Sequence, residues 1–65
     1  MSENKIKEYR LKQNKTLKEL ADEAKISVGY LSHLERGSRK NPSKGVMERI
    51  SVALHQTIPT IFFSK

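Results

Sequence analysis

Apolar side chains return every three or four positions along this chain, and short polar breaks separate the runs. In the first run, Ile6, Tyr9, Arg10 and Gln13 share one face, which is only partly apolar. The polar stretch 13–15 interrupts that run. Alternating strand patterns are weak throughout. The pattern therefore predicts an all-α fold made of short helices.

The second predicted helix has a well-marked beginning. Thr16–Glu19 has the form T-x-x-E, in which the Thr hydroxyl accepts from a backbone N–H of the first turn and the Glu carboxylate accepts from the Thr N–H. Leu17, Leu20, Ala21 and Ala24 then follow on one face. The two alanines are small, so they allow another helix to cross closely.

The helical pattern stops near Lys25 and starts again at once. Ser27 is a candidate N-cap for a third helix that carries Leu31 and Leu34 on its inner face. Arg36–Gly37 ends this helix with a basic residue and a glycine that can take the left-handed conformation. Two short helices at an angle are useful when another molecule must fit against the second one.

The C-terminal half predicts two more helices after a basic loop at 38–42. Ser43 can cap the fourth helix, and a fifth short segment begins near Thr57 with Pro59 in its first turn. The predicted apolar core combines residues from all five helices: Ile6, Leu17, Leu20, Ala21, Ala24, Ile26, Leu31, Leu34, Met47, Ile50, Leu54, Ile58 and Ile61.

Size and charge limit the classes of protein. The 65 residues suit one domain, 1–65, and contain no cysteine and no apolar run long enough to span a bilayer. Thirteen Lys and Arg against seven Asp and Glu give a formal net charge of +6. This charge favours nucleic acid as a partner, followed by an anionic membrane, although it also suits plain solubility. No long helix has the exposed apolar stripe that membrane binding needs.

The segment Leu17–Arg36 resembles the helix-turn-helix of the Cro/C1-type (Xre-like) family of DNA-binding domains. The matching positions are Leu20–Ala21, Ala24, Ile26, Leu31, Leu34 and Glu35–Gly37. The resemblance extends from about Ile6 to Phe62, and it implies a lambda-repressor-like fold of five short helices with the helix-turn-helix at helices 2 and 3. Lys25 stands where the family commonly has glycine between the two helices, so we expect some backbone strain there. The chain also departs from the family pattern after the fourth helix, where His55 replaces a common glycine and Gln56 a usual apolar residue.

The resemblance implies that the third helix enters the major groove of DNA. It places base contacts at Val28, Gly29, Ser32 and His33. Phosphate contacts are expected from residues at helix starts and in the basic loop: Thr16, Lys18, Ser27, Tyr30, Arg36, Arg39, Lys40, Asn41 and Lys44. Each has a plainer alternative: Ser27 as a cap, Tyr30 as a packing residue, His33 and the lysines as solvated surface, and Gly29 as a neutral surface choice.

Two further expectations concern assembly. The resemblance implies a structural ion pair between Arg10 and Glu35. The apolar residues near the C-terminus exceed what a short helix needs, so Ile58, Ile61, Phe62 and Phe63 are candidates for a dimer interface. The alternative is that these side chains fold onto their own core.

These observations predict a sequence-specific transcriptional regulator that binds double-stranded DNA. We expect a repressor that binds a palindromic operator as a homodimer through Ser27–Arg36, in the cytoplasm of a bacterium or encoded by a phage or mobile element. The alternative is an antitoxin-like protein-interaction module of the same fold.

An enzyme is not expected, because the chain has two His, no Cys, no carboxylate pair and no phosphate-binding glycine loop. We expect no cofactor, metal or small-molecule effector. The sequence suits a complete small regulator or the DNA-binding part of a longer one.

Overall fold

The computed structural model describes residues 4–37 and 42–63, which are helical and contain no strand. Four α-helices span Ile6–Lys12 (α1), Leu17–Ala24 (α2), Val28–Glu35 (α3) and Lys44–Ala53 (α4), and a π-helix spans Pro59–Phe63. The predicted all-α fold of five helices is therefore confirmed. The basic stretch 38–41 lies outside the described residues. No helix in the described ranges is long and apolar enough to cross a membrane.

The three predicted N-caps are formed, and α2, α3 and α4 each begin at the residue that follows its cap. Thr16 Oγ1 accepts from the Glu19 amide at 3.0 Å, and the Glu19 carboxylate accepts from the Thr16 amide at 2.8 Å, which completes a capping box. Ser27 and Ser43 each accept from the amide three residues further on, at 3.1 and 3.2 Å. Capping therefore sets the first residues of α2, α3 and α4.

The turn between α2 and α3 is closed by a left-handed residue. Lys25 has φ 59° and ψ 44°, and the next amide, of Ile26, donates to the Ala21 carbonyl at 3.0 Å. His55 after α4 has φ 57°. The family's glycine positions thus keep their left-handed conformation without glycine, at a cost of about 1–2 kcal/mol each. The break predicted at Lys25 is confirmed, and it lets α3 leave the direction of α2.

The core contains nine fully buried apolar side chains: Ile6, Leu20, Ala21, Ala24, Leu31, Leu34, Ile50, Leu54 and Ile61. Helix α2 packs against both α3 and α4. Leu17 and Ile26 are only partly buried and pack on the rim, since each lies at an end of α2. Met47 and Ile58 are half-buried and lie outside the core cluster, so the prediction that they belong to the core is wrong.

Side chains distant in sequence bind the C-terminal carbonyls of α2, α3 and α4. The donors and acceptors are Arg49 Nε to Ala24 O (3.0 Å), Asn4 Nδ2 to Leu34 O (2.8 Å), Gln13 Nε2 to Leu54 O (2.7 Å) and Lys15 Nζ to Ala53 O (2.6 Å). Carbonyls at a helix end have no partner within the helix, so these bonds satisfy them and also join separate segments. The Asn4 bond joins the end of α3 to the segment before α1, and the other three join α4 to α2 and to residues 13–15.

Candidate nucleic-acid interface

Helix α3 presents a distinct outward face. Val28 is 42% exposed, Gly29 and His33 are exposed, and Ser32 is half-buried. The opposite face carries the buried Leu31 and inserts into the core. The four residues expected to contact bases thus share the side of α3 that turns away from the core, although Ser32 lies at its edge.

The beginning of α3 combines structural and surface roles. Ser27 Oγ accepts the Tyr30 amide at 3.1 Å, so capping is its role within the chain. The hydroxyl hydrogen remains a donor, since a serine hydroxyl both accepts and donates. Tyr30 is half-buried and its ring packs against the core. Tyr30 therefore contributes to packing as well as to the edge of the outward face.

The fold itself gives no reason for a glycine at position 29. A Cβ built there meets no heavy atom within 4 Å, outside its own helical backbone and chain neighbours. A glycine inside a helix costs about 0.5–1 kcal/mol relative to alanine. The absence of a side chain at position 29 leaves free space on the outward face of α3.

His33 and Arg36 contact each other on the outer side of α3. Arg36 Nη2 lies 3.5 Å from His33 Nδ1, and both residues are exposed. Arg36 is also the C-cap residue of α3, and its amide donates to the Ser32 carbonyl at 3.2 Å. The guanidinium therefore lies beside the imidazole, one helical turn away along the same face.

The residues expected to contact phosphate are spread over the starts of three helices. The Thr16 amide and hydroxyl and the Glu19 amide already take part in the capping box, whereas the amides of Leu17 and Lys18 have no carbonyl partner within the helix. Lys18 Nζ lies 3.0 Å from Asp22 Oδ2 in an exposed pair. Such pairs contribute about 0–1 kcal/mol, so Lys18 can exchange its partner. Lys44 is exposed at the first residue of α4. Arg39, Lys40 and Asn41 lie outside the described residues.

A buried ion pair on the inner side of α3 connects this helix to α1. Arg10 Nε lies 2.6 Å from Glu35 Oε2, and Arg10 Nη2 donates to Glu35 Oε1 at 3.2 Å. Arg10 Nη1 also donates to the Lys15 carbonyl at 2.8 Å. The ion pair expected from the resemblance is thus present. It ties the last residue of α3 to α1 and to the loop before α2.

The C-terminal residues divide between the core and the surface. Ile61 is fully buried, and its carbonyl accepts from the Lys5 amide at 2.8 Å. Its expected place at a dimer interface is wrong, because its side chain fills the chain's own core. Phe62 is half-buried against that core, Ile58 is half-buried, and Phe63 is 67% exposed. Among the described residues at this end, Phe63 is the one that presents a large apolar area to solvent.

Sequence reasoning missed residues that hold the interface in position. Asn4 and Arg49 bind the ends of α3 and α2 across 30 and 25 residues of sequence. Neither lies in a capping pattern, since a donor and an acceptor so far apart leave no local signature.

Two helices joined by a tight left-handed turn, with the second presenting an exposed N-terminal face, define a helix-turn-helix domain. The chain belongs to the Cro/C1-type helix-turn-helix family, whose family model, described as "Helix-turn-helix", matches residues 6–61.

Curated relatives of the chain are transcriptional regulators. ClgR of Mycobacterium tuberculosis is 42% identical over 52 residues, which cover 80% of this chain and 46% of ClgR. SinR of Bacillus subtilis is 36% identical over 61 residues, which cover 94% of this chain and 55% of SinR. The chain thus spans about half the length of the curated relatives it matches.

Solved structures show the same arrangement of helices. The N-terminal DNA-binding domain of SinR from Bacillus subtilis matches with a TM-score of 0.85 and 34% identity, covering 94% of this chain and 87% of that chain. SinR in complex with DNA matches with a TM-score of 0.82 and 38% identity, covering 86% of this chain and 89% of that chain.

Proposed function

We propose that this chain is a sequence-specific regulator of transcription that binds double-stranded DNA by placing α3 in the major groove. The observation that carries this proposal is the outward face of α3, with its free space at Gly29. The match to SinR in complex with DNA supports it, because the helices here have the arrangement found in that complex. A major groove about 12 Å wide admits an α-helix.

Each residue of the outward face has a distinct role in the proposed complex. Val28 contacts a thymine methyl group, and Gly29 allows close approach to the DNA. Ser32 donates to or accepts from a base edge, and His33 donates to guanine N7 or O6. The side chains of Val28, Ser32 and His33 read one half-site.

Phosphate contacts position the domain on the duplex. The proposed contacts in the described residues come from helix starts and ends: Thr16, Lys18, Ser27, Tyr30, Arg36 and Lys44. Arg39, Lys40 and Asn41 are proposed from the sequence alone. Each phosphate neutralised releases counterions, so log K should fall with log salt by about 0.9 per contact. The net charge of +6 favours this mode of binding.

A single small domain reads too few base pairs to be selective, so we propose a homodimer on a palindromic operator. Two half-sites would then lie about 34 Å apart. The dimer surface is proposed at Ile58, Phe62 and Phe63, with Ile61 now excluded because it is buried.

The domain spans residues 1–65, lies in a bacterial cytoplasm and acts as a repressor by occupying promoter DNA. It has no catalytic role and needs no cofactor or effector.

The test is a selection of binding sites from random duplex DNA at physiological salt, followed by titrations of the selected site at several salt concentrations. We expect a palindromic site and a steep salt dependence. The variant Lys44→Met should weaken binding to every sequence and flatten the salt slope by about one, whereas Val28→Ser should change which sequence is selected. A selection that enriches no sequence would overturn the proposal.

The second candidate is an antitoxin-like module that binds another protein. One observation favours it: 86% of this chain matches a chain of the SinR–SinI protein complex, with a TM-score of 0.82 and 54% of that chain covered. Purification from native cells separates the two candidates. A stoichiometric protein partner without a selected DNA site would favour the module, and a selected site without such a partner would favour the regulator.

A further inference from the structure

The contact between His33 and Arg36 restricts the chemistry that His33 can offer. Arg36 Nη2 lies 3.5 Å from His33 Nδ1. A guanidinium has five N–H donors and no acceptor, so it can only donate. In this contact Nδ1 can only accept, through its lone pair, and the tautomer that allows this carries its proton on Nε2.

The same contact also orients the ring. The two nitrogens lie on different sides of the imidazole, so Nε2–H points away from Arg36 when Nδ1 faces it. His33 is exposed on the outward face of α3, so the group it presents to a ligand is a hydrogen-bond donor. The opposite tautomer would present an acceptor instead.

We propose that Arg36 is a positioning residue that sets the base preference of His33, an inference that rests on the proposed function. In the major groove guanine offers two adjacent acceptors, N7 and O6, and thymine offers O4. Adenine pairs its N7 acceptor with an N6 donor, and cytosine presents a donor. A fixed Nε2–H donor therefore selects guanine at the base pair that His33 reads and discriminates most strongly against cytosine.

The test uses the whole chain and four duplexes that carry the selected site and differ only at the base pair read by His33. Wild type should prefer guanine over cytosine there by about tenfold. Arg36→Met removes the donating guanidinium but keeps an unbranched side chain, and it should reduce this ratio by about fivefold. Lys44→Met removes a charge of the same sign from an exposed helix start, and it should weaken all four duplexes equally.

A double-mutant comparison shows whether Arg36 acts through His33. In a His33→Ala background, Arg36→Met should no longer change the ratio between guanine and cytosine, because the ring it orients is absent. Nitrogen NMR of the imidazole in the free protein gives an independent readout. We expect Nδ1 without a proton and Nε2 with one, and a shift towards a tautomer mixture in Arg36→Met.

The inference and the proposed function fail in different ways. If no sequence is enriched in the selection, the proposed function fails. If a site is enriched but Arg36→Met weakens all four duplexes equally, as Lys44→Met does, Arg36 contacts only phosphate and the inference is overturned. A protonated Nδ1 in the wild-type protein would overturn it as well.

Discussion

Arg10 and Glu35 form a buried ion pair that joins α1 to the last residue of α3, with 2.6 Å between Arg10 Nε and Glu35 Oε2. Their side chains are only 10% and 7% exposed. The pair lies behind the proposed recognition surface, so it supports the orientation of α3 without facing DNA. Within residues 4–37 and 42–63, the hydrogen-bond partners of its charged groups are each other and the Lys15 carbonyl.

Arg10→Met should lower the free energy of unfolding by about 3–5 kcal/mol, because it leaves the Glu35 carboxylate buried without a partner. The paired change Arg10→Met with Glu35→Leu should recover most of that loss, since two apolar side chains can replace a buried ion pair. Urea denaturation measures both. As a control, Lys12→Met removes the exposed pair with Glu8 at 3.1 Å and should change stability by less than about 1 kcal/mol. A similar loss for Arg10→Met and Lys12→Met would contradict the buried role.

Lys25→Gly should stabilise the fold by about 0.5–1 kcal/mol. Lys25 has φ 59°, and a side chain in this conformation costs about 1–2 kcal/mol, which the greater freedom of glycine in the unfolded chain partly offsets. The control Lys25→Ala keeps a Cβ and should leave the free energy of unfolding nearly unchanged. Thermal unfolding of the three proteins checks this. Equal stability of the glycine and alanine variants would show that the turn is not strained.

Ser51→Ala should raise the free energy of unfolding by about 1–3 kcal/mol. Ser51 is 2% exposed, and its hydroxyl has no hydrogen-bond partner within residues 4–37 and 42–63. The same change at Ser43 should have the opposite sign, because Ser43 Oγ accepts the Val46 amide at 3.2 Å and caps α4. Losing that cap costs about 1 kcal/mol. The prediction fails if both variants are destabilised in denaturant titrations.

Gly29→Ala should have opposite effects on folding and on DNA binding. Alanine should stabilise α3 by about 0.5–1 kcal/mol, because the new Cβ meets nothing within the chain. In the proposed complex the same methyl group blocks close approach, so affinity for the selected site should fall. Gly45→Ala is the matched control, since Gly45 also follows a serine cap by two residues and a Cβ there would make an ordinary contact with Ser43 Oγ at 4.0 Å. It should stabilise α4 without changing which sequence is preferred. Unchanged affinity in Gly29→Ala would make the glycine a neutral surface choice.

Phe63→Ser should weaken self-association while leaving the fold stable. Phe63 is 67% exposed, whereas the neighbouring Phe62 packs against the core. Phe62→Ser should therefore lower the stability of the monomer. Analytical ultracentrifugation measures the first effect, and denaturation measures the second. If the wild-type chain stays monomeric on its palindromic site, the proposed interface is wrong.

Local patterns in the sequence were enough to predict the elements of this fold and the face of α3. The caps at Thr16, Ser27 and Ser43 are formed between residues three apart, so their chemistry is visible in the sequence. The same holds for the break at Lys25, where the apolar spacing is interrupted. The resemblance, which depends on these spacings, supplied the pairing of Arg10 with Glu35.

Only the tertiary structure decided which apolar side chains are buried and what holds α3 in place. Ile61 and Phe63 look alike in a periodic pattern, yet one fills the core and the other faces solvent. The bonds from Asn4 and Arg49 to distant helix ends have no local signature either. The physical reason is that caps and periodicity depend on near neighbours along the chain, whereas burial and long-range hydrogen bonds depend on how the helices pack.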